Sequence, residues 1–195
     1  MNRTELIATL KRNNHVAFDL VNEDDIRMAI VFRPYGFFCG YIGIPREIEL
    51  YNSSKDEIYE MFSGICNGGI TYDDYETPTD IKADKDRRWI GFDCGHSCNG
   101  NDIELVTEIY GTKEALIASA VSGYGDFVSY EEVLKQIYSM ILVISVQSTM
   151  SSAKDIIRHE VMSSCISVLT KFVDTDGLMT EKGKRVVTEL IKELN

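Results

Sequence analysis

The spacing of apolar residues divides this chain into a front with strand-like runs and a back with helical stripes. The segments HVAFDLV (15–21), MAIVFRPYG (28–36) and FFCGYIGIP (37–45) are dense in β-branched and aromatic residues, which predicts three strands. NEDD between the first two supplies turn chemistry, so they are expected as an antiparallel pair. Gly40 and Gly43 in the third mark a bulge or a close backbone approach, and Pro45 ends it. Ahead of these runs, Leu6, Ile7 and Leu10 lie at helical spacing, predicting a short helix over Thr4–Arg12 with Thr4 as cap.

Ser54 followed by acidic residues and by Ile58, Met61 and Phe62 predicts a second helix. NGGITYDD and RRWIGFDCG then read as strands flanking YETPTDIKADKD (75–86), expected to be an exposed, mobile loop. Ile103, Leu105 and Thr107 alternate with their neighbours and are read as extended, with a helix in TKEALIASAVS. Ser129 caps a largely buried central helix. Ser152 with Asp155 resembles a capping box for a further one, striped by Ile157, Val161, Cys165, Val168 and Phe172, and a last helix is expected over Thr180–Leu194. The predicted class is α+β, an antiparallel sheet with packed helices, divided into a core domain (1–148) and a C-terminal helical hairpin (149–195). That hairpin packs on the core or forms a homo-oligomer interface.

The 195 residues, 44% of them hydrophobic, suffice for a full core. A formal charge of −11 argues against broad nucleic-acid binding. MNRTELIATLKRNN lacks a signal-peptide core, YSMILVISVQS is too short to span a bilayer, and five scattered cysteines suit reduced thiols. A cytoplasmic protein without membrane association is expected.

Several stretches could carry chemistry. Cys94, His96 and Cys98, with Cys66 as a fourth, are zinc-type ligand residues, but the loop-forming sequence and the missing second hook weaken that reading. Asp93 and His96 could instead form an oriented acid/base pair beside a Cys94 nucleophile, or Cys94 could be a small core residue. Gly68 and Gly69 are either a ligand cradle or a turn needing positive φ. DTDGLMTEKG (174–183) fails the calcium-loop register and reads as an interhelix turn. Lys82, Lys85, Arg87 and Arg88, with Tyr72, Tyr75 and Trp89, could wall an aromatic and cationic pocket or only balance nearby carboxylates.

CGYIGIP, NGGITY and RRWIGFDCGHSCNGND, followed by SYEEVLKQI, resemble a widespread family of small uncharacterised proteins found mainly in bacteriophages and prophages. Its pattern is Gly-Tyr-Val-Gly-Val-Pro, then His-Gly-Gly-Leu-Thr-Tyr, then Trp-Phe-Gly-Phe-Asp-Cys-Ala-His. The resemblance covers Phe37 to Gln147. Asp93, Cys94 and His96 match it, whereas Asn67 stands where the family has His. It implies a phage or mobile-element origin and carries no activity. Small acidic phage accessory proteins commonly act against host defences. The leading expectation is therefore a non-catalytic protein that sequesters an anionic nucleotide-type immune signal, a cyclic oligonucleotide or cyclic ADP-ribose derivative, in the host cytoplasm. Its ligand would be held by Asn67, Gly68, Gly69, Tyr72, Arg87, Arg88, Trp89, Asp93 and His96, with no cofactor or metal. The alternatives are a hydrolase or metal-dependent enzyme using Asp93, Cys94 and His96, and a protein–protein inhibitor of a host defence protein.

Overall fold

Strands β1 (Val16–Val21), β2 (Arg27–Phe32), β3 (Phe38–Pro45), β4 (Tyr72–Asp74) and β5 (Arg87–Asp93) form one antiparallel sheet in the order β1-β2-β3-β5-β4. The structure is a computed structural model in which residues 1–169 are described. The turn expected at 174–183 and the helix expected at Thr180–Leu194 lie outside the described residues. Five α-helices among the described residues accompany the sheet: α1 (Arg3–Arg12), α2 (Lys55–Met61), α3 (Ile103–Ile109), α4 (Thr112–Ala120) and α5 (Tyr130–Leu169). The fold is α+β.

The chain divides into two compact units, Met1–Ser145 and Val146–Asn195. In the first, both faces of the central strands are covered. Met28, Ile30, Phe32, Phe38, Ile42, Ile44, Ile90 and Phe92 join one core with Leu10, Ile58, Phe62, Leu105, Val106, Val133, Ile137 and Met140 from the helices. Ala29, Val31, Cys39, Tyr41 and Trp89 form a second core on the opposite face, with Ile81 from the β4–β5 loop. Two-sided burial explains why β2 and β3 read as unbroken apolar runs, since neither has a wet face to alternate toward.

Several sequence expectations are corrected. The β4–β5 loop is not simply exposed: Ile81 is buried, the Thr77 hydroxyl and Asp84 backbone bond each other at 2.8 and 2.9 Å, and Asp80 pairs with Arg33 at 2.8 Å. Gly40 is a close approach and not a bulge, because β3 keeps register on both sides and a Cβ there would lie 2.6 Å from the Phe92 ring. The bulge falls in β1, between Val16 and Phe18. Asn2, not Thr4, caps α1, exchanging hydrogen bonds with Glu5. The segment read as extended after Asp102 is helix α3: Asp102 accepts from the Leu105 amide at 2.8 Å, and the adjacent pair Leu105 and Val106 is buried, which suits a helix rather than an alternating strand. Ser129 caps α5 as expected, and the structure adds a reciprocal bond from its amide to Glu132. That helix then runs through Ser152, where a new helix was expected to start.

Candidate functional site

Three loops converge at the C-terminal end of β5. Past Asp93 the chain turns, its carboxylate accepting from the Gly95 amide at 2.9 Å. The loop that follows, 94–101, lies against Asn67–Gly69. Asn99 donates to the Asn67 side-chain oxygen at 2.7 Å and to the Cys94 carbonyl at 3.1 Å. The His96 ring sits directly over Gly68, whose φ is +68° and where a Cβ would fall 1.8 Å from Nε2. Only glycine satisfies both the conformation and the space. Gln136 of α5 anchors the pair, its Oε1 accepting from the Asn67 amide at 2.6 Å. The third loop joins through Tyr124 N–H to the Ser97 carbonyl at 3.2 Å and Gly100 N–H to the Asp126 carbonyl at 3.0 Å.

This arrangement orients the two ring nitrogens of His96. Its Nε2 lies 3.3 Å from the Asn67 carbonyl oxygen, which can only accept. Nε2 therefore carries the proton, and in the neutral ring Nδ1 keeps the lone pair. Among the described residues no hydrogen bond engages His96 Nδ1, Asn67 Nδ2 or Gln136 Nε2. The cluster thus offers amide donors and, in the neutral ring, one acceptor nitrogen, packed against the backbone at Gly68.

The other residues assigned to the site lie elsewhere. Arg88 is 4% exposed and grips Asp73 with two bonds of 2.7 Å, its remaining donors going to the Tyr51 and Ser53 carbonyls. The Asp73 carboxylate raises its pKa. Arg87 bonds Asp84 at 2.7 Å and the Asp25 carboxylate at 2.8 Å, with a further bond to the Asp25 carbonyl. Trp89 is fully buried beneath the Arg27 guanidinium. Tyr72 stands edge-on to Tyr41 and donates to the Glu76 carbonyl at 2.7 Å. The expected aromatic and cationic pocket wall of Arg87, Arg88, Trp89 and Tyr72 is corrected on this ground, and the charge-balance alternative describes the arginines: their functional groups are committed inside the fold. Of the nine residues, Asn67, Gly68 and His96 are brought into contact, with Gly69 next in the chain and Asp93 at the end of β5.

The cysteines do not form a set. Cys66 and Cys94 are buried and Cys98 is exposed. Burial pushes the Cys66 thiol up to about 12 and raises Cys94 as well, away from the thiolate that nucleophilic catalysis requires. Asp93 bonds the Gly95 amide, and no bond ties it to His96. Among the described residues no three His, Cys, Asp or Glu side chains converge as metal ligands would.

Asn99 and Gln136 were not foreseen. Asn99 sits in an Asn-Gly-Asn run that signals only a loop, and Gln136 is one polar residue in an apolar helix. No protein-family model, curated protein or solved structure matches the chain. No helix among the described residues is long and apolar enough to cross a membrane.

Proposed function

We propose that this chain is a binding protein that sequesters a small nucleotide-type ligand without converting it, at the cluster of Asn67, Gly68, His96, Asn99 and Gln136. The supporting observation is the set of uncommitted polar groups, two amide nitrogens and His96 Nδ1, beside the backbone at Gly68. Amide and imidazole groups suit the edge of a nucleobase, whose donors and acceptors they can pair. The proposal places base recognition here and leaves phosphates largely to solvent, since Arg87 and Arg88 are occupied by the chain's own carboxylates. With the phage resemblance of residues 37–147, the ligand would be a host immune signal, a cyclic oligonucleotide or cyclic ADP-ribose derivative, and its capture in the host cytoplasm would silence the defence. The buried, protonated Cys94 thiol favours binding over nucleophilic turnover.

The test is mass spectrometry of protein purified from cells making such signals, before and after denaturation, followed by calorimetry with cyclic dinucleotides and cyclic ADP-ribose. The expected result is an intact ligand released on denaturation, with affinity lowered at least tenfold in Asn67→Ala and His96→Ala. Consumption of the ligand, or unchanged affinity in both variants, refutes it.

A protein–protein inhibitor is the second reading. It is favoured by the net charge of −11, with Arg27, Arg33, Arg87 and Arg88 each paired to one of the chain's own carboxylates. Salt separates the two: base recognition by neutral groups changes little from about 0.05 to 0.5 M salt, whereas capture of a cationic partner weakens steeply.

A further inference from the structure

The tripeptide Cys-Asn-Gly occurs twice in the chain, at 66–68 and 98–100. The fold brings the two copies together, with Asn99 Nδ2 donating to Asn67 Oδ1 at 2.7 Å. An asparagine followed by glycine can lose its side-chain amide, because the glycine nitrogen has no Cβ beside it to shield it from the preceding side chain. Matching local sequence gives the two pairs the same intrinsic chemistry, but their surroundings differ. Gly100 N–H is held by the Asp126 carbonyl at 3.0 Å. Asn99 is 7% exposed, and its Nδ2 donates to both Asn67 Oδ1 and the Cys94 carbonyl. Gly68 is exposed, and among the described residues no hydrogen bond holds its N–H or Asn67 Nδ2.

We propose that Asn67–Gly68 is a site of self-modification, at which Asn67 is converted to aspartate and isoaspartate, while Asn99–Gly100 is protected. A solvent base takes the Gly68 amide proton, and that nitrogen attacks the side-chain carbonyl carbon of Asn67. The new C–N bond closes a succinimide ring, the bond to Nδ2 breaks, and ammonia leaves. Water then opens the ring at either carbonyl. Asn67 Oδ1 takes up negative charge during the attack, and the Asn99 donor already lies on it. The same sequence at Asn99 requires release of its two side-chain bonds and of the Gly100 amide. Each product adds a carboxylate at residue 67, which on the binding reading opposes an anionic ligand. The modification itself stands without that reading.

Incubating the full chain in heavy-oxygen water at mildly alkaline pH, both folded and in urea, tests this. Peptide mass spectrometry then counts the carboxylates labelled at each position during the incubation. In urea the two asparagines are expected to react at similar rates. In the folded chain Asn67 is expected to react on the order of a hundredfold faster than Asn99, the factor that the additional hydrogen bonds at Asn99 and Gly100 supply. A folded ratio no larger than the unfolded one, or a folded chain inert at Asn67, overturns the proposal. Asn99→Asp replaces the donor by an acceptor and should slow Asn67 conversion about fivefold, with Trp89 fluorescence staying native to show the fold retained. An unchanged rate in that variant overturns the role given to Asn99.

Discussion

Gly68 and Gly69 are adjacent, and both adopt left-handed backbone, at φ +68° and +85°; they differ in what lies beside them. A Cβ at Gly69 meets nothing within 4 Å, whereas a Cβ at Gly68 lands on the His96 imidazole, 1.8 Å from Nε2 and 2.4 Å from Cε1. Gly69→Ala therefore carries only the backbone cost, about 1–2 kcal/mol. Gly68→Ala carries the same cost and must also drive the ring back by roughly 1.5 Å to reach van der Waals distance. The retreat breaks the 3.3 Å bond to the Asn67 carbonyl, adding about 1 kcal/mol. In a His96→Ala background that bond is already gone and the space is empty, so the two alanine substitutions should cost the same.

Urea unfolding followed by the single, fully buried Trp89 measures all five variants: three singles and two doubles. The expected outcome is a gap of about 1 kcal/mol between Gly68→Ala and Gly69→Ala that closes when His96 is removed, a coupling of the size found for residues in direct contact. Equal costs in the parent chain, or a gap that survives in the His96→Ala background, would refute the placement of His96 over Gly68. The neutral amide cluster would lose its basis with it.

Other consequences are open to measurement. Asp73→Ala strands the buried Arg88 guanidinium and should destabilise by about 3–5 kcal/mol, far more than Asp25→Ala, whose carboxylate is 63% exposed; denaturant melts decide it. In a Cys165→Ser chain, alkylation under native conditions should reach Cys98 alone, with Cys39, Cys66 and Cys94 reacting only after unfolding, as peptide mass spectrometry would report. The backbone and hydroxyl donors of Ser54 and Ser129 lower the pKa of Glu57 and Glu132. Because these folded-state values are depressed, the capping contribution is present above the ordinary glutamate pKa and is lost as pH falls through the depressed one. Ser54→Ala and Ser129→Ala should therefore flatten the acid limb of the stability–pH curve measured by circular dichroism.

The sheet was readable because its central strands are buried on both faces, so MAIVF and CGYIGI announce themselves as unbroken apolar runs. Helix α3 was not, since Ile103, Leu105 and Thr107 happen to alternate, and only the Asp102 cap and the adjacent burial of Leu105 and Val106 decide its state. The continuity of α5 was hidden by Ser152 and Asp155, which match a capping box locally although the helix passes through them. At the site, the order of motifs tied Gly68 to His96. Asn99 and Gln136 could not be found, because a hydrogen bond across 32 or 69 residues leaves no local spacing to detect. The arginines were misassigned for a related reason. A basic pair beside an aromatic residue is the same string whether it faces solvent or, as here, reaches back to Asp73 and Asp25.

That reassignment changes how a ligand could be told from its relatives. Arg27, Arg33 and Arg87 hold the β4–β5 loop to the sheet by way of the Lys82 carbonyl, Asp80 and Asp84, so the motif surrounding Trp89 is spent on closing the second core. On the proposed reading, the loop cluster recognises hydrogen-bonding pattern and not charge. Charge attracts any phosphate, whereas a fixed array of amide donors and one acceptor penalises a ligand that leaves one of them buried and unpaired. Discrimination on the proposed reading should accordingly follow the identity of the base and vary little with the number of phosphates. A cationic cradle built from Arg87 and Arg88 would have produced the opposite ranking.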